Sequence, residues 1–126
     1  MLSEIVRLAL AEDIGTGDVT TNATVPEGTK AEGYFLARES LVFAGTEVLC
    51  ELYADLELLH RDGAHLQEGD RIANVRGDAR TLLQYERVAL NFVQRLSGVA
   101  TLARQYASAV EGTRCRILDT RKTTPG

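Results

Sequence analysis

The feature that most constrains this chain is a run of apolar residues that recur every three to four positions from residue 81 onwards. Over about thirty residues this spacing forms one apolar stripe, so it predicts a long amphipathic helix. Gly98, next to Ser97, would cost about 1 kcal/mol relative to alanine inside that helix, and we expect a kink or a break between two helices there. We expect Gly112 to stop the helical segment. The recurring apolar positions are Leu82, Leu83, Leu90, Phe92, Val93, Leu96, Val99, Ala100, Ala103 and Val110.

Shorter patterns ahead of residue 81 predict a small sheet with two helices. Ser3 suits the N-cap of an opening helix that ends at Gly15 and Gly17, and residues 45–53 have the spacing of a second helix. Residues 12–21 lack the glycine spacing of a phosphate-binding loop, so we interpret them as a helix C-cap followed by a turn. The predicted strands are residues 31–37, 41–43, 56–60 and 71–75.

The composition is that of one soluble globular domain. The 126 residues are 44% hydrophobic and 25% charged, and no apolar run reaches the roughly eighteen residues that a membrane span requires. Residues 1–18 lack the basic-then-apolar order of a signal peptide. We therefore expect a cytoplasmic protein that does not contact a membrane.

The cysteines and histidines do not predict a metal site. Cys50 and Cys115 lack the paired spacing of zinc ligands, and we expect both to be buried, reduced thiols. His60 and His65 have no neighbouring cysteine and no HExxH arrangement. We therefore predict no metal ligands in this chain.

The charge of the chain is unevenly distributed. The net charge is −4, which argues against nucleic acid as a partner. Residues 1–112 hold ten Lys and Arg against seventeen Asp and Glu, giving −7, whereas residues 113–126 hold four against one, giving +3. Residues 114–118 of this basic end alternate polar and apolar or run apolar, which predicts a strand instead of a solvated tail.

The residues that follow this predicted strand suit an anion. Thr120, Arg121 and Lys122 offer a hydroxyl donor, a planar fork and a mobile point charge. In barrels of alternating strands and helices, the carboxyl end of a strand displays the reactive groups. From the residues alone, a solvated basic loop stays open as the alternative.

Arg87 is the second candidate for binding an anion. It lies among apolar residues of the predicted long helix, and Asn91 shares its face one turn along. A buried pair of these side chains would offer donors to a carboxylate or an amide. The alternative is an ion pair of Arg87 with Glu86 or Glu51 on a solvated helix face.

Two classes other than an enzyme are also open. Residues 62–79 resemble the turn-rich half-repeat of lipoyl or biotinyl carrier modules, which need a lysine at a hairpin tip. Residues 31–112 contain no lysine, so the carrier function is disfavoured. A small-molecule-binding module and a structural or oligomerising α/β domain remain as alternatives.

Three motifs carry a resemblance to a known family. They are EDIGTGDVTT at residues 12–21, ER-x-x-LN-x-x-x-x-LSG-x-AT at residues 86–101 and DTRKTTPG at residues 119–126. In this order they occur in quinolinate phosphoribosyltransferases, which this chain resembles across nearly its whole length. A relative involved in molybdenum transport shares the general plan but usually departs from the full last motif, and it is the weaker alternative.

The resemblance implies a fold and a reaction. The family joins an amino-terminal α/β sandwich with linking helices, here residues 1–112, to an α/β barrel that would begin within residues 113–126, with residues 114–119 as its first strand. Such enzymes are pentosyl-group glycosyltransferases of NAD biosynthesis, converting quinolinate and phosphoribosyl pyrophosphate to nicotinate mononucleotide, CO2 and pyrophosphate. Their Mg2+ ligands lie in barrel segments absent from this chain. We therefore expect this segment alone to be inactive.

The resemblance also implies roles for individual residues. Arg87 and Arg121 would bind the carboxylates of quinolinate, Lys122 would be catalytic as well as substrate-binding, and Thr120 would orient the substrate. In the family the counterpart of Arg87 reaches into the barrel of a neighbouring subunit, so we expect a homodimer or a higher homo-oligomer. Self-association is also expected from apolar helix surface at Leu82, Leu90, Val93 and Leu96.

Overall fold

The computed structural model describes residues 3–15 and 17–123, and within them helices and short strands alternate. Helices and sheets are mixed as the sequence predicts, which confirms the predicted class, and no barrel is closed. The helices are α1 (Glu4–Ile14), α2 (Val19–Thr24), α3 (Thr46–Leu52) and α4 (Ala79–Ala109). The strands are β1 (Lys30–Leu36), β2 (Leu41–Val42), β3 (Asp55–Leu58), β4 (His65–Leu66) and β5 (Arg71–Asp78).

The strands form two antiparallel sheets. Strand β5 lies between β1 and β3, and β2 pairs with β4. Side chains alternate along β1, so that Phe35 faces the core while Tyr34 faces solvent. The register places Gly33 opposite Val75. The inward faces of the strands therefore present one apolar surface to the helices.

Helix α4 packs across this surface and completes the core. Its buried side chains, among them Val88 and Val93, lie in the first two thirds of the helix. Ser97 and Thr101 then fasten α4 to β2, because their hydroxyl oxygens accept hydrogen bonds from the Ala44 and Val42 amides at 3.0 and 2.9 Å. The core cluster consists of Val6, Leu10, Phe35, Ala37, Phe43, Leu49, Leu52, Tyr53, Leu66, Ile72, Ala73, Val75, Val88, Ala89 and Val93.

The predicted helix break at Gly98 is wrong, because α4 runs without interruption through this residue. A glycine costs a helix about 1 kcal/mol, and neighbouring contacts offset that cost. Ser97 and Thr101, on either side of Gly98, both hydrogen-bond to the β2 segment. The helix ends at Ala109, and Gly112, with φ +79°, belongs to the turn that follows.

The predicted elements are otherwise mostly found, with two short ones missed. α1 begins after Ser3 and ends before Gly15 as predicted. The turn predicted after it holds helix α2, whose N-cap Asp18 accepts a hydrogen bond from the Thr21 amide at 3.0 Å. The two-residue strand β4 is likewise not predicted. Both elements are too short to show a hydrophobic period.

The prediction that the cysteines are buried is wrong. Both thiols are free and exposed. In α3 the inward face is formed by Leu49 and Leu52, and Cys50 follows Leu49 by one position, which turns it by about 100° towards solvent. Cys115 lies in the exposed segment after α4.

The strand predicted for residues 114–119 is not formed in the described part of the chain. Residues 111–123 are exposed, and residues 115–120 have no regular secondary structure. A strand is held by ladder hydrogen bonds to a neighbouring strand, and no described strand lies beside this segment. The predicted domain boundary between residues 112 and 113 therefore stays a prediction.

The apolar surface of α4 differs from the predicted one. Val93 is buried, and Leu82 and Leu90 pack against the core, whereas Leu96 is exposed. Further along, three large apolar side chains face solvent on one side of the helix. We define the outer stripe as Leu96, Val99, Leu102 and Tyr106. No helix among the described residues is long and apolar enough to cross a membrane.

Candidate active site

Arg87 lies where the middle of α4 meets the end of α1. Its Nε is 3.2 Å from Oδ1 of Asp13. The Arg87 side chain is 72% exposed, whereas that of Asp13 is 23% exposed. A half-buried carboxylate thus holds one side of a guanidinium that otherwise faces solvent.

Local sequence explains this position of Asp13. Val6 and Leu10 bury one face of α1 against the core that α4 completes, and Asp13 follows in the last turn. Gly15 adopts φ +54°, a left-handed conformation that glycine tolerates best, and ends the helix. The carboxylate is therefore fixed by a helix that is itself packed, beside the helix that carries Arg87.

A cleft of about 340 Å³ lies beside this ion pair, between α1 and α4. Asn91, one turn beyond Arg87, lines it. Both side chains are exposed, so the predicted buried pair of Arg87 and Asn91 is wrong. The lining residues of the cleft are Ala9, Glu12, Asp13, Val88, Asn91 and Phe92.

The alternative ion pairs predicted for Arg87 are also wrong. Glu51 accepts hydrogen bonds from the amide and the hydroxyl of Ser3, at 2.9 and 2.8 Å. The partner of Arg87 is Asp13, seventy-four positions earlier in the chain. Asp13 lies inside the EDIGTGDVTT motif, and this is the signal that would have marked it as a site residue.

A second carboxylate lies near Arg87. Hydrogen bonds from the side chain and the backbone of Thr21 lower the pKa of Asp18, and the positive charge of Arg87 lowers it further. Asp18 is committed to capping α2. The first motif therefore places two carboxylates near Arg87, of which Asp13 makes the contact.

The other predicted site residues lie in the exposed segment after α4. Thr120, Arg121 and Lys122 face solvent. The Lys122 amide donates a hydrogen bond to the Thr120 hydroxyl at 3.2 Å, which keeps these two neighbours together. Among the described residues no contact joins them to Arg87, and residues 124–126 of their motif lie outside the described residues.

A larger groove of about 600 Å³ runs along α4 beyond Arg87, beside the turn between β1 and β2. Its polar lining includes Arg38, Glu39, Gln94 and Gln105. Gln94 and Gln105 stand seven and eighteen positions after Arg87, which places them on the same helix face. No group of three or more potential metal ligands occurs within residues 3–15 and 17–123.

Residues 18–97 match the family model described as quinolinate phosphoribosyl transferase, N-terminal domain. The chain is 44% identical to nicotinate-nucleotide pyrophosphorylase [carboxylating] of Mycobacterium leprae, over 98% of this chain and 46% of that protein. It is 42% identical to the chloroplastic protein of the same name from Arabidopsis thaliana, over 99% and 37%.

Solved structures of proteins with the same name also match this chain. The nicotinate-nucleotide pyrophosphorylase of Ehrlichia chaffeensis matches with a TM-score of 0.93 and 38% identity, over all of this chain and 48% of that one. The corresponding structure from Francisella tularensis matches with a TM-score of 0.84 and 34% identity, over 96% and 45%. The chain thus spans less than half the length of each of these proteins.

Proposed function

The chain belongs to the quinolinate phosphoribosyltransferase family, and on this premise we propose that the protein containing it forms nicotinate mononucleotide from quinolinate and phosphoribosyl pyrophosphate. CO2 and pyrophosphate are the other products, and the reaction serves NAD biosynthesis. The observation that carries the proposal is the Arg87 guanidinium, which is anchored on one side and exposed on the other. Such a group suits a carboxylate ligand.

The substrate explains why cationic donors are needed. Quinolinate bears two carboxylates, and a site that excludes water must replace their hydration with charged hydrogen-bond donors. Arg87 binds one carboxylate and Arg121 the other. The exposure of both side chains in this chain leaves them accessible to a substrate held between them.

Lys122 stabilises the negative charge that develops during the reaction. Loss of CO2 leaves the electron pair of the broken bond on the ring carbon, and departure of pyrophosphate carries negative charge away from the ribose. A fixed positive charge close to these developing anions lowers the barrier. Thr120 orients the substrate through its hydroxyl, which already contacts the Lys122 amide.

Assembly completes the site in this proposal. Arg87 serves the barrel of a neighbouring subunit in a homodimer or a higher homo-oligomer. The outer stripe supports this, since four large apolar side chains there have no cover. In this proposal Mg2+ is the cofactor of the full-length protein and is held by residues of the barrel, so we expect this segment alone to be inactive. The cytoplasmic location also stays a prediction.

The first test is product formation by the full-length protein that contains this chain. Incubation with quinolinate and phosphoribosyl pyrophosphate should yield nicotinate mononucleotide, detected by chromatography and mass spectrometry. An absence of product from folded protein supplied with Mg2+ would contradict the proposal and favour a non-catalytic α/β module.

The second test concerns Arg87. We expect Arg87→Ala to raise the KM for quinolinate while leaving the KM for phosphoribosyl pyrophosphate nearly unchanged, because only one carboxylate loses its partner. Removing a charged donor from a desolvated carboxylate costs about 2 to 5 kcal/mol, roughly thirty- to several-thousand-fold in affinity. Arg104→Ala is the matched control, since it removes the same charge from an exposed position further along α4. Equal effects of the two variants would argue against a specific role of Arg87.

A further inference from the structure

The contact between Arg87 and Asp13 uses one particular edge of the guanidinium. A guanidinium is a planar fork with five N–H donors, and it can bind two acceptors along different edges. Asp13 approaches the Nε of Arg87. Neither Nη group of Arg87 forms an ion pair or hydrogen bond with another residue in the described part of the chain. The edge formed by the two Nη groups is therefore open to a ligand.

The two partners differ in how firmly they are held. Asp13 is half-buried, in the last turn of a helix that packs into the core through Val6 and Leu10. Arg87 is mostly exposed, and a free arginine side chain samples many rotamers. In this pair the carboxylate is thus the fixed member and the guanidinium the movable one.

We propose that Asp13 is a positioning residue, which holds Arg87 by its Nε edge so that the Nη edge meets a substrate carboxylate. This inference rests on the proposed function, because it assumes that Arg87 binds quinolinate. It adds a role for the first motif of the sequence, which has no contact with substrate in this scheme. Asp13 acts through Arg87 alone.

Asp13 also has an opposing effect on substrate binding. Asp13 is negatively charged and repels a dicarboxylate, so its removal would by itself strengthen binding. The guanidinium lies between the two anions and carries the compensating charge, and the Arg87 side of the pair is open to solvent, which screens what remains. Ordering one long side chain at an interface costs about as much as a several-fold loss of affinity. Loss of positioning is therefore the larger effect.

The test uses the full-length protein that contains this chain and a set of its variants. Asp13→Asn keeps the shape of the side chain and removes its charge. We expect it to raise the KM for quinolinate about 3- to 10-fold, with kcat and the KM for phosphoribosyl pyrophosphate changed less than 2-fold. Asp13→Glu, which restores the charge, should recover much of the loss. Glu4→Gln, which removes an exposed charge from the other end of α1, should leave the KM unchanged.

A double variant of Asp13 and Arg87 tests whether Asp13 acts through Arg87 or through a general effect on the fold. In an Arg87→Ala background, Asp13→Asn should have no further effect on the KM for quinolinate, because there is no guanidinium left to hold. Thermal unfolding of each variant should stay within a few degrees of the parent. Asp13→Ser is held to the same expectations should Asp13→Asn fail to fold.

The outcomes distinguish the inference from the function on which it rests. An unchanged KM in Arg87→Ala would overturn the role of Arg87, and that of Asp13 with it. A raised KM in Arg87→Ala together with an unchanged or lowered KM in Asp13→Asn would overturn only the positioning role. Equal effects of Asp13→Asn with and without Arg87 would overturn it as well.

Discussion

At the scale of single residues, Asp62 joins two segments that are distant in the chain. One of its carboxylate oxygens accepts hydrogen bonds from the amides of Gly45 and Thr46, at 2.9 and 2.8 Å. Desolvation by partial burial raises the pKa of Asp62, but its interactions with Thr46 and the hydrogen bond from the Gly45 amide outweigh this effect, so the pKa is lowered overall. The ionised carboxylate therefore stabilises the start of α3.

This lowered pKa predicts how stability depends on pH. A carboxyl whose pKa is lower in the folded state contributes stability above its unfolded pKa of about 3.9, and the contribution is lost as the pH falls through the folded pKa. We expect the urea midpoint of the chain to fall as the pH drops below about 4. Asp62→Asn should flatten that dependence and lower the midpoint at pH 7.

The control for this experiment is Asp55→Asn, which removes an exposed carboxylate from β3. Its pH profile should follow that of the unmodified chain, measured by circular dichroism in urea between pH 2 and 7. Identical profiles for Asp62→Asn and the unmodified chain would contradict the assignment. Asp18, Glu51 and Asp78 also have lowered pKa values, through hydrogen bonds from Thr21, Ser3 and Thr81, so the flattening is partial.

At the scale of secondary-structure elements, two glycines differ in how closely they approach their neighbours: one lies inside α4 and the other faces it. Gly98 lies inside the helix, and a Cβ added there would meet nothing within 4 Å. Gly45, which precedes α3, has φ +135°, and a Cβ there would lie 3.0 Å from Cγ2 of Val93 on α4. We therefore expect alanine to have opposite effects at the two sites.

The expected changes are measurable on this chain. Gly98→Ala should raise the free energy of unfolding by about 0.5 to 1 kcal/mol, because alanine restricts the unfolded backbone and favours the helix. Gly45→Ala should lower it by about 1 to 3 kcal/mol, through backbone strain and crowding against Val93. Chemical denaturation decides this, and destabilisation by Gly98→Ala would show that the helix needs a glycine at this point.

The same elements show what a sequence pattern can and cannot predict. The long period after residue 81 predicts α4, because its buried side chains recur at the helical spacing, and the short apolar stretch at residues 31–37 predicts β1. The hydrophobic pattern does not predict helix α2, because its six residues are held by the Asp18 cap instead of an apolar face. The contact of Asp13 with Arg87 is not predicted for another reason. It joins residues seventy-four positions apart, and a local hydrophobic period carries no information about such a contact.

At the scale of the whole molecule, the outer stripe predicts self-association. Val99, Leu102 and Tyr106 are each more than half exposed, and such a patch on a helix is a common contact between protein chains. We expect the chain to sediment as a dimer or larger species at micromolar concentration. The double variant Val99→Glu, Leu102→Glu should shift it towards the monomer, because two charges would then be desolvated at the contact.

Leu83→Glu is the matched control for the outer stripe. Leu83 is also an exposed apolar residue of α4, but its position in the helical repeat places it on a different side from Val99 and Leu102. This variant should associate like the unmodified chain. If it dissociates as readily as the double variant, or if the unmodified chain is monomeric, the contact does not use the outer stripe.

The hydroxyl groups of Ser97 and Thr101 determine whether another chain can add a strand to the edge of the small sheet. They occupy the Ala44 and Val42 amides, while the intervening Phe43 amide donates to the Ala64 carbonyl on the β4 side. A strand edge with unoccupied amides is a template on which another chain can polymerise as β-structure. Here side-chain oxygens of α4 occupy the amides of the β2 edge, so this edge of the small sheet is capped against growth, and the cap is lost when α4 detaches. Fibril nucleation should accordingly begin with the release of α4.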